Sequence, residues 1–229
     1  MEPSKIRCSV WNEHLHEQRD AAVAARYPNG IHGAIADALR EDPELSAAVT
    51  TWDSPEEGLT EELLNRTDVL FWWGHLAQEQ LSGETAMRVV RRVREGMGLV
   101  ALHSARSAKP MRMLLGTGCR SPWRESDDRE RIWTAEPSHP IAKGLPACFD
   151  LEAEETYGEP FDIPTPDHVV FLGWFSGGEA LRCGCCFTRG KGRIFYFQPG
   201  HEGYPTFYDP NIRRILRNAA HWCAGKDPE

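Results

Sequence analysis

The feature that most constrains the fold is the apolar run at residues 99–102, which is followed at once by His103 and Ser104. A continuous apolar run bounded by glycine and polar residues is typical of a strand buried on both faces of a parallel sheet. Open parallel sheets bind their ligands beyond the carboxyl ends of the strands. The run therefore predicts a central strand, with His103 and Ser104 where a reactive group is expected.

The first half of the chain repeats this pattern. Residues 6–11 and 48–52 and the continuous apolar run at 69–73 predict three more strands, and helical spacing of apolar residues over 31–40 and 83–95 predicts helices between them. Strands too apolar to alternate in polarity belong in a sheet covered by helices on both faces. We therefore predict a doubly wound α/β fold with a mostly parallel sheet.

The second half is richer in strands. Residues 168–172, 180–187 and 193–198 predict strands joined by glycine-containing turns, a pattern typical of a meander, and 212–222 predicts a closing helix. Residues 116–136 are polar, and we expect them to leave the sheet as either a lid or an interface. If these residues form an interface, the protein is a homo-oligomer, and the sequence leaves this question open.

Composition narrows the classes of function. The length of 229 residues suits one domain spanning residues 1–229, and the net charge of −8 disfavours a nucleic-acid partner. No apolar run approaches the roughly 20 residues of a membrane helix, and the N-terminus lacks a signal-peptide core. We therefore expect a cytoplasmic protein that has no membrane partner. Its seven cysteines are an odd number, and we expect buried thiols.

Three histidines, His75, His103 and His201, come shortly after predicted strands. Three neutral imidazoles with one open position form a hydrolytic site of the zinc type, in which the metal polarises a carbonyl or activates water. The spacing is long, so the sequence leaves open whether the three side chains meet. If they do, a divalent metal such as zinc is the expected cofactor.

A metal-free alternative uses two of the same histidines. His103 or His201 acts as the base, and Glu155 acts as the acid or as the orienting group. Histidine titrates near neutral pH and suits proton abstraction beside a carbonyl.

A nucleophilic triad of Ser104, His201 and Glu202 is a further alternative. Adjacent residues on an extended segment point to opposite sides, so Glu202 would orient His201 only if the backbone turned sharply. The flanking glycines, Gly200 and Gly203, permit such a turn.

Short blocks of polar and aromatic residues occur along nearly the whole chain. They include Val10-Trp-Asn-Glu13, His16-Glu17, Gly30-Ile-His32, Trp72-Trp-Gly-His75, Leu102-His-Ser104, Trp123-Arg-Glu125, Glu154-Glu155, Tyr157-Gly-Glu159 and Pro199-Gly-His-Glu202. In this order the blocks resemble the ThuA-like family, which is named for trehalose utilisation. The resemblance implies a flavodoxin-like sheet similar to that of class I glutamine amidotransferases, and trehalose or a related keto-disaccharide as the substrate.

Two departures limit what the resemblance implies. A glutamine amidotransferase of this fold needs a cysteine nucleophile after the central strand, where this chain has His103 and Ser104, so we expect no glutamine hydrolysis. Similar sequences are expected to have histidines three residues after His75 and His103, where this chain has Gln78 and Arg106. These replacements would weaken a metal site, and Arg106 would instead bring a fixed positive charge.

The same blocks predict a site for a small sugar. Aromatic rings pack on the apolar faces of sugars, and polar side chains bind the hydroxyl groups. The residues expected to bind substrate are Trp11, Asn12, Glu13, His16, Glu17, Trp73, Ser104, Arg124, Tyr157 and Glu202. We expect a carbohydrate enzyme that works by acid/base or metal-assisted chemistry. The alternative is a non-catalytic sugar-binding or regulatory protein on a degenerate amidotransferase-like fold.

Overall fold

The computed structural model describes residues 5–226, and within them nine strands form one sheet in the order β2-β1-β3-β4-β9-β8-β7-β5-β6. The strands are β1 Ile6–Asn12, β2 Leu45–Thr51, β3 Val69–Trp73, β4 Gly98–Leu102, β5 Trp123–Thr134, β6 Cys148–Tyr157, β7 His168–Phe175, β8 Ala180–Arg189 and β9 Gly192–Phe197. The α-helices are α1 His16–Arg19, α2 Ala21–Arg26, α3 Gly30–Arg40, α4 Glu61–Asn65, α5 Gly83–Glu95, α6 Lys109–Leu115 and α7 Pro210–Cys223.

The parallel half of the sheet consists of β2, β1, β3, β4 and β9. Every residue of β3 and β4 is buried, as expected for strands covered on both faces. Helices α3 and α7 pack against each other, and α5 packs against α4 and α6. In α5, Ser82 caps the first turn, and Val89, Val90 and Val93 form the buried face. The α/β fold is therefore confirmed.

The sheet is not mostly parallel, contrary to the prediction. Among the described residues, four strand pairings are parallel and four are antiparallel. The turns at residues 176–179 and 190–191 are too short to return a chain in parallel, so they join neighbouring antiparallel strands. The prediction recognised this meander but underestimated its share of the sheet.

Residues 116–136 also differ from the prediction, because most of them do not leave the sheet. Trp123–Thr134 forms the twelve-residue strand β5, which lies between β6 and β7. The strand was missed because most of its side chains are charged or polar and few of them are buried. Periodicity detects a strand only where burial imposes it.

The strand ends that carry the conspicuous polar residues lie at one edge of the sheet. Asn12 pairs with Trp73, Trp73 with Leu102, and Leu102 with Phe197, so the carboxyl ends of four parallel strands are neighbours. Four successive antiparallel pairings separate β9 from β6, so β6 runs in the same direction and Tyr157 also reaches this edge. Within residues 5–226, no helix is long and apolar enough to cross a lipid bilayer.

Candidate functional site

A cluster of histidines occupies this edge of the sheet. The ring centroids of His75, His103 and His201 lie 5.4 to 5.6 Å apart, in edge-to-face arrangements. His16, at the start of α1, lies 5.2 Å from His75. The structure thus brings together the three histidines that the sequence suggested as metal ligands, and it adds His16 to them.

The carboxylate of Glu202 lies among these histidines. One oxygen is 3.1 Å from His16 Nδ1 and 3.4 Å from His201 Nε2, and the other is 3.0 Å from His75 Nδ1. Burial raises the pKa of Glu202, but the hydrogen bond with His75 and the neighbouring imidazoles outweigh it and lower the pKa to about 2. Glu202 is therefore ionised at neutral pH.

Burial keeps two of the surrounding imidazoles neutral. The pKa of His201 is lowered to about 4, chiefly by burial and then by the charge of His103. Burial also lowers the pKa of His16. Neutral imidazoles are the form that binds metals.

The chemistry of the cluster is that of a metal-binding set. One donor atom from each of His75, His103, His201 and Glu202 lies within 4.8 Å of the others. The sequence assigned Glu202 to substrate binding and did not identify it as a ligand. The turn at residues 202–203, where the Tyr204 N–H donates to the His201 carbonyl, leaves the side chains of His201 and Glu202 3.4 Å apart.

His103 has the most constrained position in the site. It is fully buried directly after β4, and its φ of 54° lies in the left-handed region that non-glycine residues rarely adopt. Its Nδ1 lies 3.0 Å from the carbonyl oxygen of Gln198. A carbonyl only accepts hydrogen bonds, so Nδ1 carries a proton, and in the neutral ring Nε2 holds a lone pair.

Glu155 is the closest partner of that second nitrogen. Its Oε2 lies 3.0 Å from His103 Nε2, although the two groups are not aligned for a hydrogen bond. Burial alone would lower the pKa of His103 and raise that of Glu155, but their contact reverses both directions. The structure therefore brings together the predicted acid/base residues His103, His201 and Glu155.

Glu13 supports the site rather than facing it, which corrects its assignment to substrate binding. Its buried carboxylate accepts hydrogen bonds from the backbone N–H groups of His75, Leu76 and Ala77. Three donors on one carboxylate hold the turn after β3 in place. Glu13 therefore fixes the backbone position of His75.

Asn12 and Glu17 are corrected in the same way. The side-chain amide of Asn12 donates to Glu17 at 2.7 Å and to His32 at 3.0 Å. Glu17 accepts from the backbone N–H of Ile31 at 2.8 Å and so holds the start of α3. These hydrogen bonds join β1 to the first turns of the neighbouring helices.

Both tryptophans that were predicted to bind the sugar are core residues. Trp11 is fully buried, packs 4.3 Å from Trp72 and donates its indole N–H to the Glu57 carbonyl. Trp73 is fully buried and donates to the Gly200 carbonyl at 2.9 Å, with its ring 6.0 Å from His16. Both rings therefore belong to the hydrophobic core, and Trp73 also packs against His16.

Tyr157 and Ser104 lie beside His103. The ring of Tyr157 stacks on His103 with centroids 5.3 Å apart, and its hydroxyl lies 3.4 Å from Ser104 Oγ. Among the described contacts, Ser104 Oγ pairs with this phenol and with no histidine. The Ser104–His201–Glu202 triad is therefore not assembled.

Arg124 is not brought to the cluster. It pairs with Glu179 at 2.9 Å and with Asp128 at 2.5 Å. In the sheet it lies opposite Thr156, so it points to the other face from the neighbouring Tyr157. Arg124 therefore lies outside the group of residues that surround the histidines.

The two residues that replace the expected histidines lie behind the site. The Gln78 amide donates to the Ser104 carbonyl at 2.8 Å. Arg106 donates to the Cys119 carbonyl at 2.8 Å and covers the Tyr157 ring at 4.7 Å. Arg106 therefore joins the Tyr157 ring to the loop that carries Cys119.

The sequence reasoning missed the role of Glu154. This fully buried carboxylate accepts hydrogen bonds from the backbone N–H groups of Gly200 and His201 and from the hydroxyl of Thr206. Glu154 thereby fixes the turn that carries His201. The only sequence signal was the run of acids Glu152, Glu154 and Glu155 in a strand-like segment.

These observations define an α/β protein with a buried histidine and carboxylate site at the carboxyl edge of its parallel strands. The family model described as "Trehalose utilisation", the ThuA family, matches residues 7–223. The chain therefore belongs to the ThuA family. A search of curated proteins gave no match.

Solved structures agree on the fold. A ThuA-like protein from Parabacteroides merdae has a TM-score of 0.72 and 17% identity, with 99% of this chain and 92% of that chain covered. A ThuA-like protein from Bacteroides uniformis has a TM-score of 0.68 and 17% identity, with 99% and 94% covered. A cytoplasmic protein from Salmonella typhimurium has a TM-score of 0.59 and 12% identity, with 94% and 98% covered.

Proposed function

We propose that this protein is a carbohydrate enzyme that binds a divalent transition-metal ion through His75, His103, His201 and Glu202. The observation that carries the proposal is the convergence of these four donors within 4.8 Å. Imidazoles combined with one carboxylate suit ions such as zinc. The Nδ1–H bond from His103 to a carbonyl is the outer contact that metal-ligating histidines usually make.

Unsatisfied polar atoms in the cluster support the same ion. His16 Nε2 is buried and has no hydrogen-bond partner within the described structure, and His103 Nε2 and Glu155 Oε2 face each other at 3.0 Å without hydrogen-bond geometry. Unpaired buried polar groups are costly, so native sites rarely retain them without a function. A cation in their midst would satisfy at least the histidine lone pairs.

The protein's own residues supply the proton transfers. If an ion binds, it would polarise a sugar carbonyl or lower the pKa of a water molecule. Glu155 lies beside the ligand set, 3.0 Å from His103 Nε2, and it would take a proton from the substrate and later return it. If no ion binds, His103 and His201 share the acid/base role with Glu155.

Membership of the ThuA family supports trehalose, or a keto-disaccharide derived from it, as the substrate. The strand order β2-β1-β3-β4 agrees with a flavodoxin-like, doubly wound sheet. In such sheets ligands bind where the strand order reverses, which here is between β1 and β3. His75 follows β3. A cytoplasmic location is part of the same proposal and agrees with the description of the Salmonella neighbour.

Elemental analysis tests the metal site. Protein purified without a histidine tag or chelator should contain about one transition-metal ion per chain. The variants His75→Ala and His201→Ala should lose it. His168→Ala is the matched control, because His168 lies on β7 and pairs with Glu136. Metal-free wild-type protein would contradict the metal site.

Turnover separates the enzyme from the binding protein that we keep as the alternative. The residues Gln78 and Arg106, which replace the expected histidines, favour that alternative. Trehalose and its keto derivative are incubated with wild type and Glu155→Gln, and the products are followed by NMR. The enzyme predicts turnover that falls about a hundredfold in the variant while the metal content stays unchanged. Saturable binding without turnover would establish the alternative.

A further inference from the structure

The side chain of Trp123 is the most exposed large apolar group within residues 5–226, with 60% of its surface accessible. It begins β5 and pairs directly with Tyr157 of β6. Directly paired residues of antiparallel strands present their side chains on the same face. Tyr157 stacks on His103, so Trp123 lies on the side of the sheet that carries the histidine cluster.

The chain after Trp123 stays close to the cluster. Between Arg124 and Asp128 the pairing of β5 with β6 shifts, so that the β5 segment is longer than the β6 segment it faces. The bulge includes Asp127, which accepts a hydrogen bond from the Tyr204 hydroxyl at 2.8 Å. The ring of Tyr204 lies 5.5 Å from His201.

The bulged segment, residues 123–127, therefore runs from the Tyr157 side of the cluster to the His201 side. Bulges occur preferentially next to active sites, where they redirect side chains. Here the bulge places an aromatic ring at one end and an Asp–Tyr hydrogen bond at the other.

A second exposed apolar side chain borders the cluster. Leu76 is 47% exposed and follows His75, and its backbone N–H is held by Glu13. Apolar surface next to ionised carboxylates and imidazoles matches a sugar ring, which has apolar faces and hydroxyl edges. If one ring of an oligosaccharide lies in the histidine cluster, the next ring would contact the exposed side chains of Trp123 and Leu76.

We propose that Trp123 is the stacking platform of a second sugar subsite, so that the preferred ligand is a glycoside with at least two linked rings. This inference rests on the proposed carbohydrate function. The reacting ring lies against the histidine cluster, and the neighbouring ring stacks on the indole. Trp123 thus selects disaccharides over single sugars and takes no part in proton transfer.

Calorimetric titration of the metal-loaded full chain tests this subsite. The probes are trehalose, with two rings, and methyl α-glucoside, with one. Trp123→Ala should weaken trehalose binding about tenfold and leave methyl α-glucoside binding within about twofold. Trp123→Phe should restore most of the trehalose affinity. Trp133→Ala is the control, because Trp133 is 47% exposed on the same strand, beyond the bulge.

The outcomes separate this inference from the proposed function. Equal trehalose binding by wild type and Trp123→Ala would overturn the stacking platform and leave the carbohydrate function standing. Equal weakening of both probes would assign Trp123 to the first subsite or to folding and would also overturn the inference. Failure of wild type to bind either probe would overturn the carbohydrate function and the subsite with it.

Discussion

The buried carboxyl group of Glu130 is expected to make the free energy of unfolding of this protein depend on pH. It lies in β5 and is fully buried, and neither carboxylate oxygen has a hydrogen-bond partner within the described residues. Burial, and then the charge of Glu154, raises the pKa of Glu130 well above 4.5. The folded protein therefore holds this carboxyl protonated at pH values where the unfolded chain releases the proton.

The sign of the effect follows from proton binding. Because the folded-state pKa exceeds the unfolded one, the stability associated with Glu130 is complete below about pH 4.5 and declines as the pH rises toward the folded-state pKa. The decline is about 1.4 kcal/mol per pH unit for one proton. Each pH unit in that range therefore removes a sizeable part of the stability of a typical domain.

Glu130→Gln removes this titration and keeps the shape of the side chain. Urea unfolding at pH 5, 6 and 7 should show the free energy of unfolding of the variant gaining on that of wild type as the pH rises, with a limit of about 1.4 kcal/mol per pH unit for one proton. Glu152→Gln is the control, because Glu152 is exposed on the neighbouring strand β6. Parallel pH profiles for wild type and Glu130→Gln would refute the assignment of a neutral buried carboxyl.

Three further outcomes follow from the contacts described above. Glu13→Gln should destabilise the protein by about 2–3 kcal/mol in urea unfolding. The amide nitrogen would replace one of the two carboxylate oxygens that accept hydrogen bonds from three backbone N–H groups. An unchanged urea midpoint would contradict the role of Glu13. Ser104→Ala should retain activity, and wild type should resist labelling by a fluorophosphonate, because Ser104 pairs with Tyr157. A thiol reagent should react rapidly with Cys148 alone in native protein, and with all seven cysteines in urea, because the other six are buried; fast reaction of several native thiols would show a looser core.

The parallel half of the fold was predictable because each of its elements is specified locally. Val69–Trp73 and Gly83–Glu95 were predicted with their observed bounds, since buried strands and amphipathic helices impose periodicities that short windows reveal. The histidines at the strand ends were found for the same reason. Parallel strands bring their carboxyl ends to one edge regardless of the distance along the chain.

The antiparallel half and the site's internal contacts depended on long-range pairing. β5 is a strand because β6 and β7 flank it, although its own sequence is charged. Glu13 and His75 are 62 residues apart, and His75 and Glu202 are 127 apart, yet hydrogen bonds join both pairs. No local pattern distinguishes a carboxylate that binds substrate from one that anchors a backbone turn.

The sequence by itself thus determined the α/β class, the family and the histidines at the strand ends, because these depend on local periodicity and on short ordered motifs. Only the tertiary structure decided that Glu202 joins the ligand set. It also decided that Asn12, Glu13 and Glu17 hold the turn after β3 and the start of α3 by hydrogen bonds. It likewise decided that Trp11 lies in the core while Trp123 faces solvent. Burial and hydrogen-bond partners belong to the folded arrangement, and identical residue types acquire different roles from it.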